Sequence, residues 1–323
     1  MSALREHRVN LFAARCWREA GREVPQELRS DERVAAMIAL SAPPVLGRMR
    51  AAHDGTLMLM KGPEVAAHHR HPETRYFHDL DLLVDDPVAA QRALLAAGFV
   101  RGADEHAYVE AQHLAPLLYP GLPLVVELHR RPNIPPWLPW PSPESILEMA
   151  VPSMTGVAGI VAPAPPAHAL LLAAHSWTDR PLGRLNDLVD VLAVLGESHR
   201  EDADRLAREW GWQRLWRSTL MLADAVLAGE GAPVSLKTWA RHFQGARERT
   251  VLENHIARAA ALAWTVPRGG VRKALATTVA QTAGRRPDEV WGEKLRRSRL
   301  AVRHAFTAQS AHHQALDLER SDR

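Results

Sequence analysis

His78-Asp79-Leu80-Asp81-Leu82-Leu83-Val84 sets two carboxylates into an otherwise apolar run of strand length. Carboxylates are seldom buried without partners, so the pair needs a chemical reason. Alternation along a strand puts Asp79 and Asp81 on one face, about 7 Å apart, with Leu80, Leu82 and Val84 in the core on the other. Two acids so spaced can hold a divalent cation. A hard ion such as Mg²⁺ prefers carboxylate oxygen and completes its shell with phosphate oxygen and water. Taken alone, Asp-x-Asp is read more simply as a strand end whose acids are solvated or paired to a neighbour such as Arg75; its surroundings add weight to the metal reading.

Upstream, the apolar run Thr56-Leu57-Met58-Leu59-Met60 ends at Lys61-Gly62, and Pro63 suits the first turn of a helix through Glu64-Val65-Ala66-Ala67. A strand thus hands over to a helix at Gly62, where backbone amides can face phosphate. Downstream, Val125-Val126-Glu127-Leu128-His129 places a third acid in an apolar strand, with His129 on the same face by period two. If Asp79, Asp81 and Glu127 converge, two Mg²⁺ ions could clamp the attacking and leaving oxygens of an α-phosphate, and Glu127 could orient or deprotonate an acceptor hydroxyl. The plainer reading of Glu127 is an exposed strand acid. Lys61 and Arg75 either neutralise phosphate charge or pair with the aspartates. His68, His69 and His71 read as surface residues, not as metal ligands. His175 and Asp187 lie on apolar helical faces, which suits hydrogen-bonded packing or a place beside an acceptor pocket.

The predicted organisation is α+β. Residues 1–53 form a helical lead-in broken by Pro25 and by Pro43-Pro44, with Asp31 as an N-cap ahead of Val34, Met37, Ile38 and Leu40. Residues 54–164 form a small mixed-sheet unit. In it Asp86-Pro87 opens a helix that Gly98 stops, Leu114 to Tyr119 and Leu124 to His129 make a hairpin, and a short strand lies near Gly156 to Val161. Residues 165–323 read as helical, with segments at 167–178, 182–195, 203–210, 213–228 and 250–264 and a last helix after Pro287. Nine of the ten tryptophans lie at or after position 137, as packing bulk for that helical region.

Composition fits an ordinary globular chain: 46% of residues are hydrophobic and 24% charged. The single cysteine, Cys16, excludes an intramolecular disulfide and a thiolate metal site. The N-terminus is charged where a signal peptide would be apolar, and no apolar run reaches membrane-spanning length, so a cytoplasmic protein is expected. The formal charge of +3 is local in origin, since the stretch from Val266 onward holds 12 Lys/Arg against 6 Asp/Glu. That excess is a solvated helix face or a contact for a polyanion, with Arg296, Arg297, Arg299 and Arg303 its centre.

Lys61-Gly62, Arg75, the Asp-Leu-Asp-Leu-Leu-Val strand and Val126-Glu127-Leu128-His129, in that order, resemble the uncharacterised nucleotidyltransferase family within the polymerase-β-like nucleotidyltransferase superfamily. The likeness continues through Pro165-Pro166-Ala167-His168-Ala169-Leu170-Leu171, His175 and Leu185-Asn186-Asp187-Leu188, and spans residues 50 to 195. It implies a mixed sheet with helices on one side and an enzyme that binds a nucleoside triphosphate, ATP first among candidates, with Mg²⁺. Such an enzyme moves the nucleotidyl group to an acceptor hydroxyl and releases pyrophosphate. By the same resemblance Asp79, Asp81 and Glu127 are the metal ligands and catalytic acids, and Gly62 is the phosphate-facing turn, with Lys61 and Arg75 as nucleotide contacts. The acceptor is a small molecule, a protein or RNA. One departure stands out: many members of the superfamily have Gly-Ser where this chain has Gly62-Pro63, so neither a serine hydroxyl nor a second amide follows the glycine. That departure favours a rival, a non-catalytic nucleotide-binding or protein-interaction module that keeps the fold. A histidine-aspartate phosphohydrolase reading of His78-Asp79 fits less well, because that dyad sits on helices in such enzymes and enters a strand here.

Overall fold

A computed structural model describes residues 1–102, 113–178, 183–229, 233, 249–283 and 289–308. The expected helix start at residue 182 and Pro287, ahead of the last helix, lie outside the described residues.

Three helices open the chain: α1 (Ser2–Glu6), α2 (Asn10–Glu19) and α3 (Gln26–Ala52). α3 corrects two expectations. It runs unbroken through Pro43 and Pro44, and Asp31 lies inside it, accepting hydrogen bonds from Arg5 (3.0 Å) and Asn10 (2.8 Å) instead of capping. A proline inside a helix costs about 3 kcal/mol. Here both prolines and the preceding residues Ala39 and Leu40 are on the exposed side, so the carbonyls left free are on the solvent side of the helix. Val45, Leu46 and Met49 one turn later are fully buried on the sheet, each contributing about 1.5–3 kcal/mol, so burial outweighs the break.

The sheet has seven strands: β1 (Leu57–Leu59), β2 (Asp79–Val84), β3 (Val100–Arg101), β4 (Leu117–Leu118), β5 (Val125–His129), β6 (Ala150–Pro152) and β7 (Val161–Pro163). Their order is β3-β4-β5-β2-β1-β7-β6. β2 pairs antiparallel with β1 and parallel with β5, β4 antiparallel with β5, and β6 antiparallel with β7, which makes the sheet mixed as expected. The single strand expected at 156–161 is replaced by this β6–β7 pair. After β1 comes α4 (Pro63–His68), and after β2 comes α5 (Pro87–Ala96), whose N-cap Asp86 accepts from the Val88 and Ala89 amides.

Alternation sorts the strand side chains into two cores. Leu57, Leu59, Leu80, Leu82 and Val84 pack with Ile38, Val45, Leu46 and Met49 of α3 and Leu94 of α5. Met58, Met60 and Leu83 face the other way, into a second core with the helices that follow. These are α6 (Pro143–Leu147), α7 (Pro165–Ser176), α8 (Leu185–Leu195), α9 (Arg200–Glu209) and α10 (Gln213–Ala223), then α11 (Val251–Thr265), α12 (Val271–Ala283) and α13 (Trp291–Arg303). Both faces of the sheet are therefore covered, where the resemblance implied helices on one side. The face that carries Asp79 and Asp81 is the one α7 and α8 close over. Among the described residues no helix is long and apolar enough to cross a membrane.

Candidate active site

The acid row is built by strand register. In the parallel β2–β5 pair Asp81 stands directly beside Glu127, and Leu83 beside His129. Ligand-type atoms of Asp81, Glu127 and His129 lie within 4.8 Å of one another. The His129 Nε2 is 2.9 Å from Asp81 Oδ1 and 3.5 Å from Glu127 Oε2, and His113 Nε2 is 3.7 Å from the same Glu127 oxygen. Asp79, one pleat back on the same face, lies outside this tight group; His78 Nε2, at 3.8 Å, is its nearest ion-pair contact among the described residues. Asp79, Asp81, Glu127 and His129 all line a cleft of about 760 Å³.

Asp81 is almost fully buried, and desolvation alone would raise its pKa. The Lys61 ammonium, 3.6 Å from Oδ2, and the His129 hydrogen bond outweigh burial and hold the carboxyl well below the usual aspartate range. Oδ2 nonetheless accepts no hydrogen bond among the described residues, so a buried, ionised oxygen is left with a coordination position to fill. An orphaned carboxylate oxygen beside a second carboxylate and an imidazole is a donor set that suits a divalent cation.

Lys61, two residues past the end of β1, places Nζ 3.3 Å from His175 Nε2 on α7. An ammonium can only donate, so His175 accepts through an unprotonated Nε2. Burial first, then the neighbouring Lys61 charge, pushes the His175 pKa well down, which keeps that ring neutral. At His129 burial acts in the same sense, but the bonds to Asp81 and Glu127 prevail and its pKa is raised.

The turn after Lys61 is forced to be glycine. Gly62 has φ +65°, and a Cβ there would stand 2.8 Å from the Asp79 carbonyl oxygen. It carries the chain from β1 into α4 directly against β2.

Residues 1–228 match the model of a family described as "uncharacterised nucleotidyltransferase". The chain belongs to that family. The match reaches beyond the 50–195 segment of resemblance to include the N-terminal helices and α9 and α10. No curated protein and no solved structure matches the chain.

Other candidate residues of this nucleotidyltransferase family member are placed differently from the sequence expectations. Arg75 reaches neither Asp79 nor Asp81. It is buried, donates through Nε and Nη2 to Asp190 (3.0 and 2.9 Å) and through Nη1 to the Gly62 carbonyl (2.9 Å). His69, expected at the surface, is buried with Nε2 2.8 Å from Asp190 Oδ1, and Asn186 Nδ2 donates to the other oxygen at 3.0 Å. Burial would raise the Asp190 pKa, but Arg75 and His69 reverse it and keep the carboxylate ionised. His175 and Asp187 do line the cleft, as does Arg297 of the basic helix α13, which is bound to Glu289 at 2.7 Å. Sequence reasoning missed Arg8, Arg131 and Arg184 in the cleft wall, and read Trp137 and Trp140 as packing bulk where they line the cleft. Arg131 stacks over the Trp140 ring at 3.9 Å, and Trp137 Nε1 donates to Thr265 on α11. The Pro- and Trp-rich stretch was the one available signal, since aromatic residues beside basic ones commonly line clefts.

Proposed function

We propose that this protein transfers a nucleoside monophosphate from a nucleoside triphosphate, ATP foremost, to the hydroxyl of an acceptor, releasing pyrophosphate. The observation that carries the reading is the in-register Asp81–Glu127 pair with an unsatisfied, ionised Asp81 oxygen, in the wall of a cleft large enough for a nucleotide. Family membership supports nucleotidyl transfer in general terms.

Asp79, Asp81 and Glu127 are assigned as the residues that hold divalent metal, Mg²⁺ in two positions, with His129 fixing the orientation of Asp81 and Glu127. When bound, the ions neutralise phosphate charge and align the in-line displacement. Glu127, open to the cleft, orients the acceptor hydroxyl and takes its proton as the oxygen bonds to the α-phosphorus and the bond to the β-phosphate oxygen breaks. Lys61, held between Asp81 and neutral His175, offers its remaining donor to phosphate. The Gly62 amide faces the phosphates, and Arg75 acts through that turn as a positioning residue because its donors are already engaged. Residues 54–164 are assigned as the catalytic unit, with 1–53 and 165–323 as helical units that close the cleft. The acceptor is a small molecule, a protein side chain or RNA.

Pro63 favours the rival reading, a nucleotide-binding or protein-interaction module without catalysis, because the turn lacks the Ser hydroxyl and one amide. Labelled ATP, GTP, CTP and UTP with Mg²⁺ and cell-extract acceptors separate the two. Pyrophosphate release that is lost in Asp81→Asn and Asp79→Asn supports transfer; nucleotide binding without pyrophosphate release from any of the four rejects it.

A further inference from the structure

We infer that Arg8 and Arg184 together form an anion seat in the cleft that takes the pyrophosphate end of the triphosphate, taking over from the donors that the Gly62-Pro63 turn lacks. The inference rests on the nucleotidyl-transfer reading of the cleft.

Arg8 follows the C-cap of α1 with φ +54°, the one non-glycine positive φ among the described residues. Glycine is the ordinary occupant of such a position. The strained turn is pinned on every side. Arg5 and Asn10 donate to the same Asp31 carboxylate, and the Asn186 amide donates to the His7 carbonyl at 3.2 Å. That last bond lays the Arg8 turn against the start of α8, where Arg184 is the N-cap residue and makes no capping bond. Both side chains line the cleft.

Most arginines of this region are engaged by a carboxylate: Arg5 by Asp31, Arg18 by Glu32, Arg75 by Asp190. Among the described residues neither Arg8 nor Arg184 has a side-chain hydrogen bond or ion pair. Two like charges are thus held side by side in a half-buried place, and burial together with Arg184 lowers the Arg8 pKa. Asp79 and Asp187 are the acids whose fields reach Arg8, and neither is bonded to it. An anion with several oxygens, set between two planar guanidinium forks, answers both the repulsion and the idle donors.

The position selects phosphate over an acceptor. Arg8 lies in the field of Asp79 and of Arg75, and Arg75 holds the Gly62 carbonyl, which puts the seat on the Gly62 side of the acid row. A nucleotide whose α-phosphate lies at the acids directs its β- and γ-phosphates to that same side. Pro63 offers them neither an amide nor a hydroxyl.

The test is calorimetric titration of the full chain with inorganic tripolyphosphate, in EDTA and then in Mg²⁺. Wild type is expected to bind in EDTA, with Arg8→Gln and Arg184→Gln each weakening it by about tenfold or more. Arg205→Gln, on the exposed face of α9 and outside the cleft, should stay within about threefold of wild type. Arg8→Lys keeps the charge without the fork and falls between wild type and Arg8→Gln, which guards against misreading a folding defect; melting temperatures of all variants serve the same end. No binding by wild type, or equal binding by the arginine variants, overturns the inference. So does an unchanged tripolyphosphate affinity with a raised acceptor KM. If tripolyphosphate affinity follows the two arginines while no nucleotide is ever transferred, the anion seat stands and the transfer reading falls.

Discussion

Arg75 and Asp190 meet at 2.9 Å although 115 residues separate them in the chain, and both are buried. Because the same guanidinium also holds the Gly62 carbonyl, the pair locks α8 of the helical region to the turn that leads into the cleft. A buried pair of this kind gives little net stability when intact, but removing one partner strands the other charge. Asp190→Ala should lower unfolding free energy by about 3–5 kcal/mol, and the apolar double replacement Arg75→Met with Asp190→Leu should cost markedly less. Urea denaturation of the three proteins measures this; equal losses in both would mean that the charges are not what makes the site sensitive.

Gly62→Ala should be the harshest small change near the cleft. The φ of +65° disfavours any Cβ, and the added carbon would press on the Asp79 carbonyl at 2.8 Å. A destabilisation of about 1–3 kcal/mol is expected, with a raised KM for nucleotide, since β2 must shift and Asp79 with it. Thermal denaturation and nucleotide titration check the two halves separately.

Glu127→Gln keeps the size and hydrogen-bonding reach of the side chain while removing the proton acceptor. A fall in kcat of about 10²–10⁴-fold is expected, with nucleotide affinity changed far less. Steady-state kinetics against nucleotide decide it. A kcat within a few-fold of wild type would remove Glu127 from the reaction.

His168 predicts a pH dependence away from the cleft. Its Nε2 donates to the Met60 carbonyl at 2.6 Å, and burial pushes its pKa down to about 4. An unfolded histidine titrates near 6.5, so between pH 6.5 and about 4 the unfolded chain holds the extra proton. Stability from this residue is complete above that window and is lost as pH falls through it, by roughly 3 kcal/mol in all. Asp190, whose pKa is depressed, loses its contribution only at more acid pH, so the two are separable. His168→Gln should make the stability profile between pH 6.5 and 4.5 less steep, leaving the slope that buried His175 contributes, as measured by urea unfolding at fixed ionic strength.

Much of the cleft could be read from short-range pattern. Asp79, Asp81, Glu127 and His129 stood out because period-two alternation and apolar neighbours are properties of five to seven consecutive residues. The Gly62 turn was readable for the same reason. What sequence did not disclose were meetings over long separations: Arg75 and His69 with Asp190, Lys61 with His175, and the Arg8 turn with Asn186. A charged residue looks alike in sequence whether water or a distant helix satisfies it. Pro43-Pro44 misled for a related reason, since the penalty is local and the compensating contacts of Val45, Leu46 and Met49 come from the sheet.

The parallel pairing of β2 with β5 sets the timetable of assembly. Asp81 and His129 are 48 residues apart, and the intervening chain must wind through α5, β3 and β4 before β5 can dock. Contacts of such separation form late, after a large loop has been closed. A nascent chain that has not yet released β5 from the ribosome therefore has no carboxylate cluster. Once the strand is in place, any ion that binds only the finished sheet draws the folding equilibrium toward it by mass action.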